Sequence, residues 1–350
     1  MFGKNGNLEK NSSSKNAAND DYNLEKIIKK ISTEIINKLP IQLNEIKYLR
    51  QGGSSFVFSS KTNKSNKEVI IKVIKKDKNN GINEINILPK LKHNNIISVY
   101  GVLLDKEEEF IYIIMEKGYN DLREFHQKKL KRRVSTESLL NYIALQIVKG
   151  LYYLYRCNII HCDIKPQNIV INEYLNVKIL DFSESKNISK IINEEIDLKY
   201  CGTLFFMAPE VIKRKKIKVK DYHKIDLFSF GVLLYVLAFG KYPFNLYPNE
   251  NNDEIIYNKI MSDWKVENID GTNYSLHFIN LLNGLLEKNI EKRMNIYDVM
   301  DNYWIKGGKV LVEEKENIYN ANNFLINLVT DHFQKFNNYI SNNCMDLEEN

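Results

Sequence analysis

Leu24, Ile27, Ile28, Ile31, Ile35 and Leu39 fall three or four residues apart, the spacing of one helix face, with Asn23 placed to cap the start and Pro40 to stop the run. The pattern predicts an amphipathic helix over residues 23–40. Residues 1–22, rich in Asn, Ser and Lys and without apolar period, are expected to form a disordered tail. After Pro40 the period shortens to two. IQLNEIKYLR, FVFSS, EVIIKVIKK, IISVYGVLL and FIYIIME read as strands, interrupted by a short helical segment over about 83–91. Beyond Gly118 the period lengthens again: Leu140, Ile143, Ile147, Leu151 and Leu154 form one helical stripe, and IDLFSFGVLLYVLAFG is apolar on nearly every side, as a buried central helix should be. Residues 306–350 start polar and then carry Leu325, Leu328, Phe333, Phe336 and Ile340, which predicts a C-terminal helical extension. The sequence therefore predicts a small β-rich unit followed by a larger, mostly α unit. The isoleucine stripe of 23–40 needs an apolar partner, and the small unit, beside its short helix, is the expected one.

Composition changes this picture little. The chain has 350 residues, room for two packed lobes, and is 43% hydrophobic and 27% charged, which excludes a fibrous or wholly disordered class. The net charge of +6 is spread among acidic residues rather than gathered into a patch, so no nucleic-acid partner is expected. Cys157, Cys162, Cys201 and Cys344 lack the spacing of a zinc site or a disulfide framework, and a cytoplasmic, reducing location is the expectation. No apolar run reaches the roughly 20 residues that cross a bilayer, so no membrane insertion is expected.

Candidate chemistry lies in a set of polar residues in a particular order. Lys72 ends a strand in VIIK, where it can reach the α and β phosphates of a nucleotide, and Glu84 on the following helix can hold it in place. HCDIKPQN, residues 161–168, sets Asp163 as a base and Asn168 as a metal ligand in one loop, with Lys165 between them to neutralise a transferring phosphate. DFS follows at 181–183, and Asp181 supplies a second oxygen ligand of the kind Mg²⁺ prefers.

With these loops in order, residues 43–305 resemble a eukaryotic protein kinase. EINILPKLKHNNII around Glu84, IIMEKG, GTLFFMAPE, DLFSFG and the late Arg293 in EKRM carry the rest of the likeness. The resemblance implies an α+β bilobal kinase fold, with an N-lobe over 43–116 and a C-lobe over 119–305. It further implies a serine/threonine protein kinase that uses ATP and Mg and acts on protein substrates. Val57, Ile70 and Val170 would sandwich the adenine, Met115 would stand at the back of the pocket, and Glu116 and Gly118 would bond the base through their backbone. Leu88, Val99, His161 and Phe182 would form a spine anchored on Asp226, and Glu210 would pair with Arg293. Lys165 with Thr203 is the resemblance's mark of serine and threonine specificity.

The chain departs from the family pattern in several places. RQGGSSFV keeps only Gly52 of the three loop glycines, with Gly53 beside it; Ile70 replaces Ala; Ser183 replaces the Gly of DFG; Pro89 is expected to shorten the helix of Glu84. Cys162 stands where the family has Arg. That Arg receives an activation-segment phosphate in many members, so activity here is expected not to need one, although Ser185, Ser189 and Tyr200 are candidate phosphosites. Internal ion pairs among Glu184, Glu194, Glu195, Asp197, Lys186, Lys190 and Lys199, or control by another domain, are the expected substitutes. Gln167, where arginine-directed kinases carry Glu, predicts a different substrate preference. Because no charged catalytic group is lost, an active enzyme is the expectation, and a pseudokinase acting as a nucleotide-binding scaffold is the alternative.

Overall fold

Period-two alternation between Leu43 and Glu116 builds an antiparallel five-stranded sheet. The computed structural model describes residues 24–35, 43–51, 55–62, 67–76, 82–105, 109–118, 120–129, 136–172, 174–189, 191, 194–197, 200–267 and 274–307. Its strands are β1 (Leu43–Gln51), β2 (Ser55–Thr62), β3 (Glu68–Lys75), β4 (Val99–Leu104) and β5 (Phe110–Glu116), ordered β1-β2-β3-β5-β4. Register sorts the side chains into two faces: Ile71 stands opposite Phe58 and Ile114, and Val73 opposite Phe56 and Tyr112, while Lys72 stands opposite Val57 and Ile113.

The first of those faces is covered by α1, helical over residues 24–30 and continued by a wider π-type turn, Ile31–Ile35. Ile27, Ile31 and Ile35 are each 0% exposed and pack with Phe58, Val69, Ile71, Val73, Phe110, Tyr112 and Ile114. Ile28, on the other side of the helix, is exposed. Lys30 pairs with the buried Asp105 carboxylate at 2.5 Å and Lys26 with Glu109 at 2.6 Å, which sets the helix along the β4–β5 turn. The expected neighbour is thereby corrected. Glu84 bonds Lys72 on the opposite face of the sheet, so α1 lies across the sheet from the Glu84 helix rather than beside it. Ile31→Val removes one methylene from this layer and is expected to cost about 0.5–1.5 kcal/mol in a urea melt, whereas Ile28→Val stays within about 0.5 kcal/mol.

Glu84 sits on α2 (Ile82–Ile87), which gives way to a 3-10 turn, Leu88–Lys90, with Pro89 in its first turn. Proline has no N–H to donate, so the α-hydrogen-bond ladder stops there.

The chain divides into two compact units. The first holds residues up to Lys92 together with Ile97–Lys117; the second holds His93–Ile96 and the chain from Gly118. The boundary thus falls at Lys117/Gly118, and residues 93–96, read from sequence as N-lobe, belong with the second unit. Asn95 donates to the Val177 carbonyl at 2.9 Å, and Ile96 bridges Ile179. The called tail over 1–22, residues 36–40 of the called helix and residues 308–350 of the called extension lie outside the described residues.

The second unit is built on helices. α3 (Glu137–Arg156), capped by the Thr136 side chain, presents the predicted stripe inward, with Leu140, Ile143, Ile147, Leu151 and Leu154 all buried. α4 (Lys224–Phe239) is the apolar helix, ended by Gly240 in the left-handed region at φ 67°. By length and composition Val219–Phe239 is apolar enough to cross a membrane, but 94% of the stretch is buried inside the fold, which makes it a core helix. Trp304 closes the far end, its indole N–H donating to the buried Glu137 carboxylate at 2.7 Å.

His223 is buried just before α4, and among the described residues neither ring nitrogen has a hydrogen-bond partner. Burial, then the Lys224 charge, pushes its pKa from 6.5 down to about 4. The unfolded chain therefore takes up a proton that the fold refuses between pH 6.5 and about 4, so stability is full above 6.5 and declines as pH falls through that window. Scanning calorimetry is expected to show the fall in Tm, and His223→Gln to flatten it.

Candidate catalytic site

In the first unit, the face of the sheet left uncovered by α1 carries Val57, Ile70, Lys72 and Met115, which the register places side by side on neighbouring strands. Lys72 Nζ lies 2.9 and 2.7 Å from the two carboxylate oxygens of Glu84, which is 1% exposed. A charge-assisted pair around a buried carboxylate fixes the lysine against its own rotamer freedom. Glu116 ends β5, and its N–H donates to the Ser98 carbonyl at 2.9 Å, so that donor is committed to the sheet. Leu88 is buried and Val99 half-buried in the same unit. Gly52 and Gly53 lie outside the described residues.

In the second unit, residues 161–168 form a loop between β6 (Ile159–Ile160) and β7 (Ile169–Ile171). Asp226, in the first turn of α4, anchors the loop: its carboxylate accepts from the N–H of His161 at 2.8 Å and of Cys162 at 2.9 Å. Burial pushes the Asp226 carboxyl above its ordinary pKa, while the nearby His161 and the two backbone donors pull it back. Cys162 turns the chain with φ 67°, a left-handed conformation held by those two bonds. The His161 ring meets Phe182 edge to face at 4.9 Å and bonds the Leu180 carbonyl at 3.1 Å.

Asp163 emerges from this turn with both oxygens engaged. The Thr203 hydroxyl donates to Oδ1 at 2.8 Å; the Asn168 amide donates to Oδ2 at 2.8 Å and to the Asp163 carbonyl at 2.8 Å; Lys165 Nζ lies 2.6 Å from Oδ2 and donates to the Thr203 hydroxyl at 2.7 Å. Three residues close on one carboxylate. Because the Asn168 nitrogen is spent on Asp163, its side-chain oxygen is the atom left for a cation, and the Asn168 carbonyl accepts the Leu180 N–H at 2.9 Å one residue before Asp181. Asp181 itself adopts φ 67°. An amide oxygen with a carboxylate is the hard-oxygen donor set that Mg²⁺ takes, so the residues fit that ion. Gly118 lies against Val170: a Cβ there would stand 2.6 Å from the valine side chain, which explains why this position has none.

Of the residues expected to form ion pairs within the segment from Ser183 to Glu210, Lys190 and Lys199 lie outside the described residues. Ser185 is 0% exposed and its hydroxyl donates to the His161 carbonyl, which makes it part of the loop's scaffold rather than an accessible phosphosite. Among the described residues of the segment, Lys186–Asn187 pairs antiparallel with Ile159–Ile160, and β8 (Glu195–Asp197) pairs antiparallel with β9 (Lys216–Lys218). The basic run after Glu210 is in part neutralised, with Lys213 on Glu254 and Lys218 on Glu291. Gln167 Oε1 has no hydrogen-bond partner among the described residues. At the segment's end, Glu210 and Arg293 form a buried bidentate pair at 2.7 and 3.0 Å.

One neighbour escaped the sequence reading. Cys201 comes to Cys162, where a Cβ on the adjoining Gly202 would stand 2.2 Å from the Cys162 carbonyl oxygen and each thiol shifts the pKa of the other, although 38 residues separate them and no spacing rule joins them.

The protein kinase domain model matches residues 43–305. CBL-interacting serine/threonine-protein kinase 12 of Arabidopsis thaliana is 33% identical over 269 residues, covering 75% of this chain and 52% of that protein. CBL-interacting serine/threonine-protein kinase 19 of the same plant is 30% identical over 285 residues, 78% of this chain and 56% of that protein. Serine/threonine-protein kinase dkf-2 of Caenorhabditis briggsae is 30% identical over 230 residues, 64% of this chain and 18% of that protein. The chain spans about half the length of the plant relatives it matches.

Proposed function

Because this chain belongs to the protein kinase domain family, we propose that it transfers the γ-phosphoryl group of ATP to serine or threonine hydroxyls of protein substrates. The observation that carries the reading is the Asp163 carboxylate held by Asn168, Lys165 and Thr203. A carboxylate fixed in this way accepts the proton of an incoming hydroxyl and aims its oxygen at phosphorus. Lys165, beside the same oxygens, offsets negative charge that gathers on the transferring group. Lys72, locked to Glu84, is the cation for the α and β phosphates, and Val57, Ile70 and Met115 are the first unit's surface for the base. Asn168 and Asp181 would hold Mg²⁺ through their side-chain oxygens, and the ion would supply positive charge to neutralise the phosphates. The contact of Lys165 and Asp163 with Thr203 supports serine and threonine over tyrosine. A cytoplasmic location belongs to the same reading, supported by cysteines without the spacing of a disulfide framework.

The test uses the purified chain, Mg-ATP and a generic protein substrate. Phosphate is expected on serine and threonine, and Asp181→Asn is expected to abolish it to below about 1% of the parent rate. Nucleotide binding without turnover in the parent chain would replace this reading with that of a scaffold.

A further inference from the structure

Cys162 and Cys201 are each 5% exposed, and each thiol shifts the pKa of the other, Cys162 upward and Cys201 downward. The two backbones run unusually close at this point. A Cβ on Gly202 would stand 2.2 Å from the Cys162 carbonyl oxygen, and Gly202 adopts φ 93°, so the residue between Cys201 and Thr203 has no room for a side chain. Both ends of the contact are also pinned, Cys162 through its N–H to Asp226 at 2.9 Å and the 201–203 stretch through the Thr203 hydroxyl to Asp163 at 2.8 Å. Two thiols are therefore held together by structure on either side, one on the catalytic loop and one on the segment that follows it.

We propose that Cys162 and Cys201 form a reversible regulatory disulfide, driven by peroxide, that tethers residues 201–203 to the loop of Asp163. The two thiols are not equivalent. The bond from the Cys162 S–H, followed by the charge of Lys186, lowers the pKa of the Cys201 thiol, while the same contact, followed by burial, raises that of Cys162 well above the ordinary value. Cys201 is thus the attacking sulfur and Cys162 the resolving one. The Cys201 thiolate attacks one oxygen of hydrogen peroxide; an S–O bond forms, the O–O bond breaks, and the departing hydroxide takes a proton to leave as water. The Cys162 sulfur then attacks the sulfenic sulfur; the S–S bond forms, the S–O bond breaks, and the hydroxide leaves as a second water with the Cys162 proton. Two thiols lose two electrons in all, and one peroxide is reduced to two waters. A dithiol reverses the change by exchange. A disulfide of this kind in a reducing compartment is transient and regulatory rather than structural. Its consequence here is mechanical, since the bond limits how far Thr203 can move from Asp163.

The test does not depend on the catalytic reading, because it reads covalent linkage. The reduced full chain is treated with hydrogen peroxide in small excess, blocked with N-ethylmaleimide, digested and mapped by mass spectrometry. The expected major product joins the peptides of Cys162 and Cys201, two hydrogens lighter than their sum, and vanishes on adding dithiothreitol. Cys157→Ser and Cys344→Ser retain it, Cys201→Ser loses it, and Cys162→Ser leaves a sulfenic acid at Cys201 that dimedone traps. Limited proteolysis within residues 183–203 is expected to slow by about tenfold or more in the oxidised chain. Mapping of the unmutated chain stands whether or not a variant folds. Sulfinic acid at either cysteine with no linked pair, linkage of Cys201 to another cysteine, or unchanged proteolysis overturns the proposal.

Discussion

Asp163→Asn is expected to lower turnover by about 10²- to 10⁴-fold while nucleotide affinity stays near the parent value, since a positioned base contributes in that range. The substitution is nearly isosteric, and the loop has other anchors. Asp226 still holds the N–H groups of His161 and Cys162, and the Leu180 N–H still reaches the Asn168 carbonyl. What changes is the acceptor. An amide offers one weakly basic oxygen where the carboxylate offered two, and the Thr203 hydroxyl, the Asn168 amide and Lys165 now compete for it. The effect should therefore appear in kcat with KM for ATP little altered. Single-turnover phosphate transfer with parallel nucleotide titration separates the two quantities, and a variant that works at near the parent rate would remove Asp163 from the role of base.

Arg293→Met is expected to destabilise the second unit by about 3–5 kcal/mol, because it leaves the Glu210 carboxylate buried without its partner. Arg293 is 1% exposed and donates to both Glu210 oxygens, to the Lys224 carbonyl at 3.0 Å and to the Glu287 carbonyl at 2.8 Å, with its guanidinium 4.8 Å from the centre of the Phe228 ring. Removing it strips one carboxylate and two carbonyls of donors inside the fold. Glu210→Gln is the milder change, since a neutral amide still accepts from the guanidinium and no unpaired anion remains. The order of urea midpoints, parent above Glu210→Gln above Arg293→Met, is the prediction. Equal midpoints for the two variants would show that the buried charge is not what costs stability. Since Glu210 ends the segment that begins after Asp181, a weakened anchor should also speed proteolysis within that segment.

Local pattern was enough for much of this protein. Alternation over 43–116 marked the five strands because a strand with two differently packed faces has to alternate, and the apolar run from Ile225 to Gly240 marked the core helix because nothing but burial satisfies a helix that is apolar all round. The charged candidates could be picked out in the same way. Phosphoryl transfer calls for a base, cations and oxygen ligands in a constrained order, and that order is visible in Lys72, inside β3 rather than at a strand end as expected, and in the loop residues Asp163, Lys165, Asn168 and Asp181. Pattern could not say against what a face would pack. The stripe of Ile27, Ile31 and Ile35 demanded burial, but both faces of the sheet are apolar in part, and the ion pairs of Lys26 and Lys30 with the β4–β5 turn place it on the face away from Lys72. Nor could pattern show that Ser185 is sealed beneath His161, that the Glu116 N–H is spent on Ser98, or that Cys162 meets Cys201. Each of these joins residues distant in sequence or strands not yet paired, and hydrogen bonds across such distances are set by chain closure rather than by local period. Residue type and spacing singled out the groups proposed for this chain's chemistry; tertiary structure alone decided which hydroxyls, N–H groups and thiols are already engaged, because engagement depends on distances that only the folded chain defines.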